Sequence, residues 1–175
     1  ALKGVEINDS TVVESQVVVA ALGHSARDTF EMLYHKGLNM NAKPFAVGVR
    51  IEHLQKDIDK SQYGISAELM RELNGAADYK LSHRASNGRG VYTFCMCPGG
   101  FVVGAASEEG RLVTNGMSNF DRAGQNANAA LLVSVTPEDF PGDNVLSGVE
   151  FQRKIEENAF LAGGGNWRAP CHQIV

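Results

Sequence analysis

The stretch Val17-Val18-Val19-Ala20-Ala21-Leu22-Gly23-His24-Ser25-Ala26-Arg27-Asp28 decides the fold reading. Its apolar residues run without polar alternation, the pattern of a strand covered on both faces, as in a parallel sheet flanked by helices. Gly23 then offers a tight turn, and Ser25 and Asp28 have the spacing of a capping box that opens a helix. Phe30, Leu33 and Tyr34 give that helix one apolar face, and Gly37 ends it. A glycine between a strand and a helix lets the backbone approach a bound group, and the helix N-terminus beyond it favours phosphate. A tight structural turn with no ligand is the competing reading of the same residues.

Upstream, Val5 and Ile7, the turn residues Asn8-Asp9-Ser10, and Val12-Val13 read as a hairpin feeding this strand. The opening at Ala1, without Met, reads as a processed or internal start. Downstream, Phe45–Ile51, Tyr79–His83, Val91–Cys97, Phe101–Ala106, Arg111–Asn115 and Ala130–Val135 read as strands, most of them separated by turn signals. Helices are expected over Leu54–Lys60 and Ser66–Leu73. A third begins at a second capping box, Ser147 and Glu150, carries Phe151, Ile155 and Ala159 on one face, and stops at Gly163-Gly164-Gly165. Asn166–Val175 reads as irregular. The unequal strand spacing and the lack of an internal repeat exclude propellers and solenoids.

A chain of 175 residues, 43% hydrophobic and 21% charged, can bury a core of its own. A net charge of −4 with scattered Lys and Arg argues against a nucleic-acid partner. The longest apolar run, Val17 to Gly23, is far short of the roughly 20 residues of a membrane-spanning helix, so no membrane association is expected. Three cysteines and a start with neither a basic nor an apolar leader point to a reducing cytoplasm.

The dinucleotide fingerprint G-x-G-x-x-G is absent, since neither Gly88-Arg89-Gly90 nor Gly163-Gly164-Gly165 has its third glycine in register, and there is no P-loop lysine. The chain therefore cannot supply a complete dinucleotide site. Cys95-Met96-Cys97-Pro98-Gly99-Gly100 ends one strand and turns into the next, and cysteines two apart on a strand share a face. Three readings stay open: two buried small hydrophobes, a glycine pair shaping a loop against a ligand, or a redox or metal role. Zinc would need two more ligands, for which Cys171 and His172 are the available pair. However, C-x-C is not the usual two-residue-spaced knuckle, and no metal is assigned. Arg50, Glu52 and His53 lie at the exit of the strand Phe45–Ile51, with Arg50 and Glu52 on one face and His53 beginning the loop. They fit either a substrate carboxylate site with proton transfer near neutral pH or a solvated ion pair. Asn115-Gly116-Met117-Ser118-Asn119 reads as a polar turn, a loop rather than a site, with presentation of amides to a ligand as the alternative. His24 sits in the first glycine turn, whereas His35 falls where it would complement a helix dipole.

The hairpin followed by VVVAALG resembles the closing element of the FAD domain in flavoproteins with two dinucleotide-binding domains. The strings VVVAALGHSARDTFEML, KPFAVGVRIEHLQ, YTFCMCPGGFVVGAASEEG, VTNGMSNFDRAGQNANAALLV and FQRKIEENAF, in this order, resemble the large bacterial FAD-dependent dehydrogenases, NAD(FAD)-utilising proteins with an FAD domain of that type. The resemblance spans nearly the whole chain. It implies an α/β to α+β fold: residues 1-37 as the C-terminal part of a split, Rossmann-type FAD-binding domain, and 38-175 as an inserted substrate or cap domain with a mixed, largely antiparallel sheet and two or three helices. It places Gly23, His24, Ser25 and Arg27 on the FAD side. Cys97, Pro98, Gly99 and Gly100 would face the flavin or substrate cleft, and Arg50, Glu52 and His53 would shape the substrate pocket, with no catalytic residue assigned. Members of this group carry a glycine-rich FAD fingerprint before this region and a flavin-contacting segment after it. This sequence contains neither, so it reads as an internal segment of an FAD-dependent oxidoreductase, inactive alone and completed by the rest of its parent polypeptide. NAD(P)H enters as the electron partner and a small molecule as substrate, with homo-oligomers through exposed sheet edges a further expectation. The alternatives are a non-enzymatic ligand-binding or assembly module, and thiol or zinc chemistry at Cys95, Cys97 and Cys171.

Overall fold

The computed structural model describes residues 2–172, in two compact units, one ending at Asn39 and the other beginning at Met40. The strands are β1 (Gly4–Ile7), β2 (Thr11–Glu14), β3 (Phe45–Leu54), β4 (Ser82–Arg84), β5 (Gly90–Cys97), β6 (Gly100–Gly104), β7 (Thr114–Ser118) and β8 (Asn126–Val135). The helices are α1 (Arg27–His35), α2 (Gln55–Tyr63), α3 (Ala67–Asn74) and α4 (Ser147–Ala162). The fold is α+β, and every strand pairing among the described residues is antiparallel.

In the first unit β1 and β2 form the expected hairpin, turned by Asn8 and Asp9, both at left-handed φ (51° and 52°), with the Ser10 amide donating to the Ile7 carbonyl at 3.2 Å. Asn and Asp tolerate that conformation better than other non-glycine residues. The strand expected over Val17–Leu22 does not form: Val17 and Val19 are 76% and 84% exposed. A strand exists through its ladder, and no described segment pairs with this one; apolar composition signals burial without supplying a neighbour. Neither capping box forms. Helix α1 starts at Arg27 with no side-chain cap, Ser25 Oγ bonds His24 Nδ1 at 2.9 Å instead, and α4 starts at Ser147 itself, which is buried. His35 does fall in the last turn of α1, where a cation complements the dipole.

The second unit is built on a four-stranded sheet in the order β3-β8-β5-β4, beside the β6-β7 ribbon. Strand β8 is central, and its Ala127, Ala129 and Ala130 are buried while Asn126, Ala127 and Asn128 extend it well before the expected Ala130 start. Asn and Ala are poor strand formers, so the sequence pattern undercounts this end; pairing on both sides overrides propensity. The polar turn expected over Asn115–Asn119 is for the most part strand β7, paired with β6. Under one end of β3, Phe45 stacks on Phe140 with centroids 5.0 Å apart, and Phe151 of α4 meets both edgewise or tilted. Gly148 fits because an added Cβ would come within 3.1 Å of Phe140 and 3.2 Å of Phe45. Beyond α4, residues 163–172 form no regular element, and the remainder of the irregular stretch expected to Val175 lies outside the described residues.

Candidate functional site

The two strand ends at β3 and β5 converge on Arg50. Between the pairs Phe94↔Ala130 and Cys97↔Asn128, β5 spends three steps where β8 spends two, so the ladder carries a bulge that leaves Cys95 and Met96 unpaired. Cys95 sits there at φ 44°, left-handed backbone that a side chain adopts at a cost of order 1 kcal/mol. The bulge breaks the alternation that would have put both thiols on one face; Cys95 is exposed and Cys97 half-buried. A cation holds the bulge. Arg50 Nη1 donates to the Cys95 carbonyl at 3.2 Å and to the Oδ1 of the fully buried Asn128, and approaches Cys97 Sγ at 3.9 Å. Its Nη2 donates to Asn115 Oδ1 at 3.3 Å. Gly116 on β7 leaves the space: a Cβ there would overlap both Arg50 Nη1 and Asn128 Oδ1.

Arg50 has no carboxylate partner among the described residues. Glu52, two residues along the same face of β3, turns away from it, accepting from Asn126 Nδ2 at 2.7 Å and the Val102 amide at 3.3 Å. The ion pair considered for these residues is therefore not made. His53 does not begin a loop either. It lies within β3 opposite Ala127, because the strand continues to Leu54 and passes directly into α2. Its Nδ1 lies 2.8 Å from the Ala127 carbonyl and its Nε2 2.7 Å from Tyr79 Oη. A carbonyl only accepts, so Nδ1 carries a proton. Burial pushes the Tyr79 hydroxyl above its ordinary value of 10.0, which keeps it protonated and able to donate to Nε2 in the neutral tautomer.

Pro98, Gly99 and Gly100 are buried within the unit. Gly99 takes φ 55° and its backbone lies against that of Arg122, so no side chain fits there. Its amide donates at 2.8 Å to Oε1 of Gln55, the wholly buried first residue of α2. Gln55 Nε2 in turn donates to Asp59 Oδ1 at 2.7 Å and to the Ala77 carbonyl at 2.9 Å. Asp59 also accepts from the Ala77 amide and, through Oδ2, from Arg71, both at 2.8 Å. This network anchors the turn that follows the thiols. The structure thus groups Arg50 with Cys97, buries Pro98–Gly100 in the turn that follows, and engages Glu52 and His53 elsewhere. Gln55 and Asn128 escaped the sequence reading, and the one local trace of Asn128 is the period-two polar alternation Asn126-Ala127-Asn128; Asn115 enters it only within the polar turn.

In the first unit Gly23 takes φ 80° with open space around it, His24 and Ser25 are exposed, and Arg27 is buried at the start of α1. Cys171 and His172 are exposed and outside regular structure. Among the described residues no three His, Cys, Asp or Glu side chains are grouped so as to hold a metal ion, and no helix is long and apolar enough to cross a membrane.

The fold and the site define an antiparallel α+β domain in which an arginine is fixed against a strand bulge and the Cys97 thiol. Comparison with known proteins sets it more narrowly. Residues 44–175 match the family described as FAD-dependent protein, C-terminal domain-like, and the chain belongs to that family. It is 52% identical, over 174 residues and 99% of its length, to an uncharacterised protein of Clostridium beijerinckii. The chain spans 32% of that protein's length.

Proposed function

We propose that this chain is the segment of a larger FAD-dependent oxidoreductase that builds the substrate side of the flavin site, and that its first unit contributes to the FAD-binding fold. The observation that carries the reading is a guanidinium with no carboxylate partner among the described residues, held by neutral acceptors next to Cys97, in a chain of an FAD-dependent family. Gly23, His24, Ser25 and Arg27 are the residues placed toward FAD. The start of α1 offers a pyrophosphate little by itself: the Arg27 amide donates to the Ser25 carbonyl at 2.9 Å, the Thr29 amide to Asp28 Oδ1 at 2.8 Å, and the Asp28 carboxylate opposes an anion, so the FAD-side reading of these residues rests on the family. The exposed Val17–Leu22 run supports the same reading, because an apolar strand without a ladder has the composition to enter a sheet supplied by other chain.

Bound FAD would supply a two-electron acceptor. In this reading Arg50 binds and orients a substrate, and Cys95 and Cys97 form the adjoining wall over the buried Pro98–Gly100 turn. NAD(P)H is retained as the electron partner of the whole protein. The test is purification of this chain and of the longer protein that contains it, comparing the visible flavin band. We expect a yellow longer protein whose flavin bleaches on adding NADH or NADPH. A colourless longer protein, with no band restored by added FAD, ends the proposal.

A further inference from the structure

The Arg50 site has a chemistry of its own. A guanidinium carries five N–H donors. Both Nη1 hydrogens are taken by Cys95, Asn128 and Cys97, and one Nη2 hydrogen by Asn115. Nε–H and the second Nη2 hydrogen have no acceptor among the described residues, and Nε is not among the buried, unpartnered polar atoms, so it reaches solvent. Nε and Nη2 make up the side-on edge of the planar guanidinium, the fork that matches a carboxylate, while Nη1 is clamped to the bulge. The clamp matters because an arginine already held in one position loses little freedom when it binds.

From this geometry we infer that Arg50 is a preorganised receptor for the carboxylate of a small organic acid, with Nε–H and Nη2–H donating to its two oxygens and the exposed Cys95 at its border. It deepens the substrate-side reading above and rests on it for its biological role, but the binding itself requires no flavin. A carboxylate suits the site better than a phosphate, because the free donors lie in the plane of one guanidinium, the geometry of two coplanar oxygens. Glu52 sets a limit on the ligand: its charge lies on the same face two residues away, so a dianion extending toward β3's exit would be disfavoured relative to a monoanion.

The test is proton–nitrogen NMR of the full chain, following the Arg50 Nε–H resonance during titration with acetate or propionate, with propionamide and inorganic phosphate as comparisons. We expect a saturable shift of Nε–H in the millimolar range with the carboxylates and no saturable response to the amide; in Arg50→Lys, which keeps a charge but lacks the fork, the backbone amide shifts of Cys97 and Gly116 should report at least about tenfold weaker binding than they do in the wild type. An Nε–H that does not move, or that moves equally with amide and carboxylate, overturns the inference. So does a stronger response to phosphate. Because the wild-type resonance is the readout, a variant that failed to fold would not rescue the idea. A flavin-bearing longer protein with an unresponsive Arg50 would sink this inference alone, and a colourless one with a responsive Arg50 would sink only the flavin reading.

Discussion

Replacing Gln55 by Leu removes the amide at the centre of the α2 anchor while nearly conserving volume. Three contacts go: the acceptor of the Gly99 amide at 2.8 Å, the donor to the Ala77 carbonyl at 2.9 Å and the donor to Asp59 at 2.7 Å. Gln55 is 0% exposed, so water cannot replace them without opening the turn. Leaving Gly99 N–H and Ala77 C=O unsatisfied costs about 1–3 kcal/mol each. Asp59 keeps the Ala77 amide and Arg71, so its loss is one hydrogen bond and not its pairing. Burying a leucine returns about 1.5–3 kcal/mol, since the apolar side chain itself gains from leaving water. The net expectation is a destabilisation of about 3 kcal/mol, a large share of the 5–15 kcal/mol by which domains are stable. Urea unfolding followed by circular dichroism measures it as a fall in midpoint at unchanged slope. The Cys97 thiol, next to the released turn, should react faster with an alkylating probe. A loss under about 1 kcal/mol with unaltered Cys97 reactivity would refute the reasoning, because it would mean that the anchor supports nothing.

In Gly116→Ala the new methyl displaces the Arg50 guanidinium from Asn128; overpacking of this kind costs about 1–3 kcal/mol, read by urea unfolding, and the Arg50 Nε–H resonance should shift without any ligand. Asp139 accepts a two-pronged bond from Arg89 and a bond from the Thr136 amide at 2.9 Å, which together hold its carboxyl well below the ordinary 3.8. A carboxyl with a lowered folded value contributes stability above its unfolded value and loses it as pH falls through the folded one. The protein should therefore lose stability below about pH 3.8, and Asp139→Asn should flatten that limb of a thermal-melt series against pH. Phe140→Ala opens a cavity between Phe45 and Phe151 and should cost about 3 kcal/mol in denaturant melts; retention of wild-type stability would show that the aromatic cluster is not a core.

Much of the second unit was legible in advance. The strands at β3 and β5 and the long α4 follow from runs of apolar residues and from glycine stops, because local periodicity reports which face of an element will be buried. The site was legible only in its residue types. Arg50, Cys97 and Gly99 stood out and Asn115 entered only as part of a turn, yet Asn128 and Gln55 did not, since an amide in a strand or at a helix start looks the same whether it is solvated or fully enclosed.

The sequence by itself determined the hairpin, an antiparallel α+β body and the glycine at position 99, because these depend on neighbours in the chain and on the conformations each residue tolerates. Tertiary structure decided the rest. It left Val17–Leu22 without a ladder among the described residues, carried His53 into a strand, put a bulge at Cys95 and set Arg50 against partners 45 to 78 residues away. A strand needs an edge to pair with and a cation needs acceptors around it, and both come from parts of the chain that only folding brings near.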